Sequence, residues 1–334
     1  MLNAHCKTLK TAGNLNNEIG LPKTLMGLDS SYQAAVVEMG MSDFGEISRL
    51  SRAAAPSIGV ITNIGFSHIA QLGSQEGICR AKLEILDGMA VDAPLVVNGD
   101  DPYLIPLKTT LSRPVYTYGI KNIGADCRAE HIVTEQGSTS FDLCWQGTAT
   151  HVILPCIGEH NVMNAAAAFC IGMLAGMAPE EIAGALHTYQ PAGMRQNIRK
   201  LGEQTVILDC YNASPDSMRA SLSVLGQLSV AGRRIAVLGD MLELGEQSDR
   251  LHRMVGSMIK PDQVDLLFCC GPESSAIAEE AARQGVPVQH FLEKEALTEQ
   301  LRHTIQPGDA ILFKASRGMQ LAPHANALFA ELAS

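Results

Sequence analysis

Short runs of aliphatic and β-branched residues alternate with longer amphipathic stretches along most of the 334 residues. That alternation predicts strands followed by helices and a largely parallel sheet. Ala34–Gly40 reads as a strand ending on a carboxylate, Ser57–Asn63 as the next and Leu95–Asn98 as another. Phe44–Ala54, with Asp43 and Glu46 as a capping box, and Gln75–Met89 read as the helices between them. From about Val115 to Pro155 the apolar period shortens, which predicts a small antiparallel appendage. An alanine-rich helix follows over Asn161–Ala175, and Pro179 opens another.

Gln190-Pro-Ala-Gly193 punctuates two helix-rich regions, so a first domain is expected over residues 1–190 and a second over 191–334. In the second, Thr205–Asp209, Arg234–Gly239, Val264–Cys269 and Ala310–Lys314 read as strands, and Ser214 with Pro215 starts a helix. The expected fold class is α/β: a mostly parallel sheet domain followed by a smaller Rossmann-like domain. In the first half each strand leads into a polar strand end and a helix, so the polar ends should gather on one sheet edge, and in open α/β sheets that edge is where ligands bind.

Composition narrows the reading. With 35 acidic against 25 basic side chains and a net charge of -10, the chain has no basic footprint for nucleic acid. Its longest apolar run, Ala165 to Ala178, is shorter than the roughly 18 residues a membrane span needs. The first residues lack the apolar core of a signal peptide, so a cytoplasmic location is expected. Nine cysteines stand in apolar surroundings with no Cys-x-x-Cys pair, which suits buried, reduced thiols. A monomer is expected.

Four constellations carry chemistry. Glu38 ends an apolar strand, His68 follows the next in Asn63-Ile-Gly-Phe-Ser-His68, and Lys82 lies on the helix after it. A carboxylate and an imidazole at neighbouring strand ends could share a divalent ion with phosphate and water. Equally, a carboxylate there could cap a helix, and a loop histidine could bond backbone. His160, Asn161 and Asn164 open the alanine-rich helix and suit either a purine edge or a helix start. Arg195 and Asp209 flank the domain boundary, fit for phosphate and ribose contacts or for a salt bridge. Gly239–Gly245 and Lys314–Gly318 are polar strand-to-helix turns able to cradle a ligand or merely turn the chain.

In order and spacing, Gly13-Asn-Leu-Asn-Asn-Glu-Ile-Gly-Leu-Pro22, Val37-Glu-Met-Gly40, Asn63 to His68, Ala81-Lys-Leu-Glu-Ile85, Gly158 to Asn164, Asp209 to Met218, Gly239 to Gly245 and Lys314 to Gly318 resemble the Mur ligase family. Asn-Asn-Glu-Ile-Gly-Leu-Pro and Tyr-Asn-Ala-Ser-Pro-Asp-Ser-Met resemble its branch that joins D-alanyl-D-alanine to UDP-N-acetylmuramoyl-tripeptide. The resemblance implies ATP and Mg2+ as cofactors and an acyl-phosphate route to an amide bond. It implies Glu38, His68 and Lys82 as magnesium ligands, Lys82 through carbamylation. It implies Asn164, with His160 and Asn161 beside it, as the adenine contact, and Arg195 and Asp209 as phosphate and ribose contacts. Asn16, Asn17, Asn212, Asp216, Lys314, Ser316 and Arg317 fall in its substrate-side motifs.

The family pattern also calls for Gly-x-x-Gly-Lys-Thr on the first strand-loop-helix of a P-loop-type domain, and no such segment occurs in the 334 residues. His5–Thr11 reads as part of the helix after that loop, so the sheet domain is expected to be truncated at its N-terminus. Turnover by these residues alone is expected to be little or none. Two functions follow: the nucleotide-binding and C-terminal part of a working ligase, or a non-catalytic remnant that keeps nucleotide or dipeptide binding. A Rossmann oxidoreductase is disfavoured, because no Gly-x-Gly-x-x-Gly stands at a strand-helix turn.

Overall fold

The computed structural model describes residues 1–135, 137–190 and 197–332. It separates into two compact units, residues 1–64 with 71–190 and residues 65–70 with 191–334.

The first unit holds two sheets. One is a parallel pair, β1 (Thr8–Lys10) and β2 (Ala34–Val36). The other has six strands in the order β3-β4-β5-β6-β7-β8. These are β3 (Gly59–Ile61), β4 (Leu95–Asn98), β5 (Val115–Gly119), β6 (Cys127–Glu135), β7 (Ser138–Trp145) and β8 (Thr148–Leu154). β3 to β6 run parallel, and β6, β7 and β8 are antiparallel. The segment expected as a small antiparallel appendage is antiparallel over β6 to β8, as expected, but β5 and β6 join it to the parallel strands in one continuous sheet. β7 alternates half-buried and buried residues along its length, as a strand with one packed face must. Its inward Phe141 and Leu143 meet Val162, Ala166 and Phe169 of the helix Glu159–Leu174. At roughly 25 cal/mol per Å2, each such large side chain contributes about 2 kcal/mol of burial.

Three expectations fail here for local reasons. His5–Thr11 is not helical: Thr8–Lys10 pairs with Ala34–Val36 through backbone hydrogen bonds that a helix would forgo. Among the described residues the strands that precede Glu38 and Asn63 do not pair with each other: β2 pairs with β1 and β3 with β4, and both strands end before those residues. The helix α2 (Glu46–Ala54) starts two residues later than predicted, because Gly45 takes a left-handed backbone (φ 83°) and the Asp43 side chain makes no cap. Glu46 instead reaches back to the backbone N–H of Ser42, at 2.6 Å.

The second unit is a six-stranded sheet in the order β13-β12-β11-β14-β10-β9. Its strands are β9 (Asn197–Leu201), β10 (Gln204–Asp209), β11 (Arg234–Gly239), β12 (Leu266–Cys270), β13 (Val288–Phe291) and β14 (Ala310–Lys314). All pair in parallel except β9, an antiparallel edge. The central strands β11 and β14 are buried along nearly their whole length, so they read as unbroken apolar runs. Pro215–Gln227 begins with the expected cap, Ser214 and Ser217 forming a reciprocal box with Pro215 at the first position. All nine cysteines are free, and burial pushes the Cys210 thiol up to about 12, so it stays protonated.

Asp309, just before β14, is buried and accepts from the Arg233 backbone N–H at 2.9 Å, Arg233 Nη2 at 2.7 Å and Gln306 N–H at 2.9 Å. Burial alone would raise its pKa, but the bonds from Arg233 and Gln306 outweigh it and hold the carboxyl below its ordinary value. A depressed carboxylate stabilises the fold fully above the unfolded value of about 3.9 and stops doing so as pH falls through the folded one. Asp309→Asn is expected to cost about 1–3 kcal/mol near neutrality and less near pH 3. Denaturant midpoints at both pH values check this; an equal loss at both would contradict it.

Candidate active site

The first cluster forms around Glu38. Its backbone N–H donates to Thr11 Oγ1 at 2.8 Å, and its Oε1 accepts from Asn16 Nδ2 at 2.8 Å. Gly40 closes the approach: its N–H donates to Asn16 O, and a Cβ there would stand 2.9 Å from the Asn16 side chain. Asn17 serves the backbone instead, its Oδ1 accepting from Gly20 N–H at 2.8 Å and Ile19 N–H at 3.2 Å at the start of α1 (Gly20–Leu25). Asn16 and Asn17, adjacent in sequence, thus hold different jobs.

Lys82 lies on α3 (Gln75–Leu83), whose N-cap is Ser74. Its Nζ donates to the Asn63 carbonyl at 2.6 Å, which ties the helix to the end of β3. That end is held from three sides. Tyr118 OH donates to Thr62 O at 3.1 Å, Ile64 N–H to Asp101 Oδ2 at 2.6 Å, and Gln75 Nε2 to Ile64 O at 3.1 Å. Burial drives the Tyr118 phenol well above its usual range, so it remains a donor. His68 has a left-handed backbone (φ 63°) within residues 65–70, which group with the second unit, whereas Glu38 and Lys82 belong to the first.

Among the described residues no three His, Cys, Asp or Glu side chains converge as a closed metal cage. Magnesium seldom needs one, since it takes one or two carboxylates and fills its shell with water and phosphate. The Glu38 carboxylate, exposed and held through one oxygen only by a neutral amide, fits that use. Lys82 as an ammonium is a donor and becomes an oxygen ligand only as a carbamate.

The alanine-rich helix α4 (Glu159–Leu174) begins at Gly158, whose φ of 108° requires glycine. Asn161 Nδ2 donates to Ile157 O at 2.8 Å, closing the helix entry, while Asn164 is exposed one turn on. His160 stands beside them in the first turn.

In the second unit the strand ends meet. Lys314, 1% exposed at the end of β14, donates to Asp209 Oδ2 at 2.9 Å and to Asn212 O at 3.0 Å. Ser221 Oγ donates to the same Asp209 oxygen at 2.5 Å. Ser316 Oγ accepts from Leu242 N–H at 2.9 Å, bracing the Gly239–Gly245 turn. Asp216 pairs with Arg219 at 2.9 Å, and Arg317 is exposed. Arg195 lies outside the described residues. Asp240 falls inside the Gly239–Gly245 turn that the sequence marks, whereas the sequence gives His252 no role; both are buried, Asp240 Oδ1 accepting from Ser274 N–H at 2.7 Å and His252 Nε2 from Met241 N–H at 3.0 Å. Asp240 is a polar residue directly after the apolar run Arg234–Gly239, while His252 stands mid-helix between Leu251 and Arg253 with no such signal.

The Mur ligase middle domain matches residues 1–172, and the Mur ligase glutamate ligase domain matches residues 194–317. The UDP-N-acetylmuramoyl-tripeptide--D-alanyl-D-alanine ligase of Bacillus subtilis is 41% identical over 324 residues, covering 96% of this chain and 70% of that protein. The Escherichia coli ligase of the same name is 33% identical over 325 residues, covering 96% and 71%. Among solved structures, MurF from Acinetobacter baumannii superposes with a TM-score of 0.90 at 31% identity, covering 98% of this chain and 72% of that one. The MurF ligase of Thermotoga maritima in complex with ADP gives 0.86 at 27% identity, covering 99% and 75%. Fold, motif order and similarity agree over both units: the chain belongs to the Mur ligase family.

Proposed function

We propose that this chain acts in joining D-alanyl-D-alanine to UDP-N-acetylmuramoyl-tripeptide at the expense of ATP. The observation that carries the reading is 41% identity, across 96% of the chain, to a ligase named for that reaction. The tripeptide carboxylate oxygen takes the γ-phosphoryl group, releasing ADP. The dipeptide amine then attacks the carbonyl carbon; the bond to the phosphate oxygen breaks, phosphate leaves and the nitrogen gives up a proton. Magnesium, when bound, supplies positive charge against the phosphoryl oxygens. Glu38, oriented by Asn16, and Lys82 as a carbamate, braced on Asn63, are proposed to hold it. Asn164 is proposed to read the adenine edge, Arg195 and Asp209 to serve the phosphates and ribose, and the Asn212, Asp216 and Lys314–Arg317 turns to serve the substrates.

Calorimetric titration with ADP tests the nucleotide half of this reading. Asn164→Ala is expected to weaken binding about tenfold, the loss of one or two hydrogen bonds at about 1 kcal/mol each. Unchanged binding would remove the adenine assignment. The identity to a named ligase over nearly the whole chain does not favour the non-catalytic remnant.

A further inference from the structure

Helix α2 has no cap of its own, and the residue that supplies one comes from the helix that carries Lys82. Glu84 lies two positions beyond Lys82, where α3 passes into a 3-10 turn (Glu84–Gly88). Its Oε1 and Oε2 accept from Gly45 N–H at 2.8 and 2.9 Å, and Oε2 also accepts from Ser48 N–H at 3.3 Å. A carboxylate there satisfies orphan donors of the first turn and meets the positive end of the helix. The rest of the seam is equally close. Ser48 Oγ donates to Asp87 Oδ2 at 2.6 Å, Gly88 N–H donates to Ser51 Oγ at 3.2 Å, and a Cβ on Gly88 would lie 2.1 Å from Ser51 O.

Helix α2 also reaches the Glu38 side. Arg49, on its second turn, pairs with Glu18, two residues after Asn16, and Asn16 is the residue that holds the Glu38 carboxylate. The loop from Glu38 into α2 ends at Gly45, the residue Glu84 grips. One carboxylate therefore couples the Lys82 helix to both the loop after Glu38 and the segment that orients it.

We propose that Glu84 is a positioning residue: by capping α2 it sets the Asn16–Glu38 pair relative to Lys82. This rests on the proposed magnesium roles of Glu38 and Lys82 only for its consequence, not for the coupling itself. Amide hydrogen exchange on the whole chain reads the coupling directly. In Glu84→Ala, exchange at Gly45 and Ser48 is expected to quicken by roughly fivefold, as for a lost cap, and exchange at Gly40 and Glu38 to quicken with it. Glu84→Gln, which keeps an acceptor oxygen, should recover part of the protection. Ser74→Ala, which removes a cap from the other end of α3, should leave Gly40 and Glu38 unchanged. Faster exchange confined to Gly45 and Ser48 would reduce Glu84 to a local cap and overturn the proposal. The consequence is read separately: Glu84→Ala should raise the Mg2+ concentration at half-saturation of ADP binding about fivefold. If exchange spreads to Gly40 and Glu38 while that Mg2+ dependence stays fixed, the coupling stands and the ligand roles of Glu38 and Lys82 fall.

Discussion

Asp209→Ala is expected to cost the second unit about 3–5 kcal/mol, the largest stability loss of any single change considered for this chain. The Lys314 ammonium is 1% exposed, and Asp209 is the anion it faces. Its remaining acceptors are carbonyl oxygens of Asp209 and Asn212, at 3.4 and 3.0 Å. Removing the carboxylate leaves a desolvated charge held by two dipoles. Lys314→Met is expected to cost less, because Ser221 Oγ still donates to the remaining carboxylate. Asp209→Leu with Lys314→Met should recover much of the loss, since replacing a buried pair by apolar groups is often neutral. Trp145, the one tryptophan, stands on β7 in the first unit, so exchange of the β10 and β14 amides is the suitable probe. A cost below about 1 kcal/mol would mean that the pair is solvated.

In a chain that also carries a Gly-x-x-Gly-Lys-Thr segment, Lys82→Ala is expected to lower ligation at least about 100-fold, the scale seen when one preorganised electrostatic partner of a transition state is removed. As a carbamate the side chain changes from a cation to an anion: the neutral amine nitrogen bonds the carbon of CO2 and loses a proton. The 2.6 Å bond to the Asn63 carbonyl fixes Nζ at the end of β3, where Tyr118, Asp101 and Gln75 hold the backbone. Isotope-labelled bicarbonate should give a carbamate carbon signal in the wild-type chain and none in Lys82→Ala. Equal signals in both would remove Lys82 from the proposed metal set.

Much of the fold was legible because β-branched runs are loud. Leu95–Asn98, Arg234–Gly239 and Ala310–Lys314 carry the same bounds in sequence and structure, each a buried run between turn residues. β9 was missed, since Asn-Ile-Arg-Lys-Leu on an antiparallel edge is polar and half exposed. At Asp43 and Glu46 the sequence shows a local capping box, whereas in the structure Gly45 takes its cap from Glu84, 39 residues on. Contacts such as Asn16 with Glu38, or Asp209 with Lys314, join motifs that the sequence showed separately. Single residues were visible as polar punctuation; which of them touch is decided by strand order, and strand order is set by tertiary packing.

Ligation itself tests the central claim most directly. The 334 residues, joined to a strand-loop-helix segment carrying Gly-x-x-Gly-Lys-Thr, would be mixed with ATP, Mg2+, UDP-N-acetylmuramoyl-tripeptide and D-alanyl-D-alanine, and the products read by mass spectrometry. The account predicts a UDP-linked pentapeptide that forms only when ATP and both substrates are present, with one phosphate released per amide bond. A joined chain that binds ADP tightly yet forms no pentapeptide would contradict it.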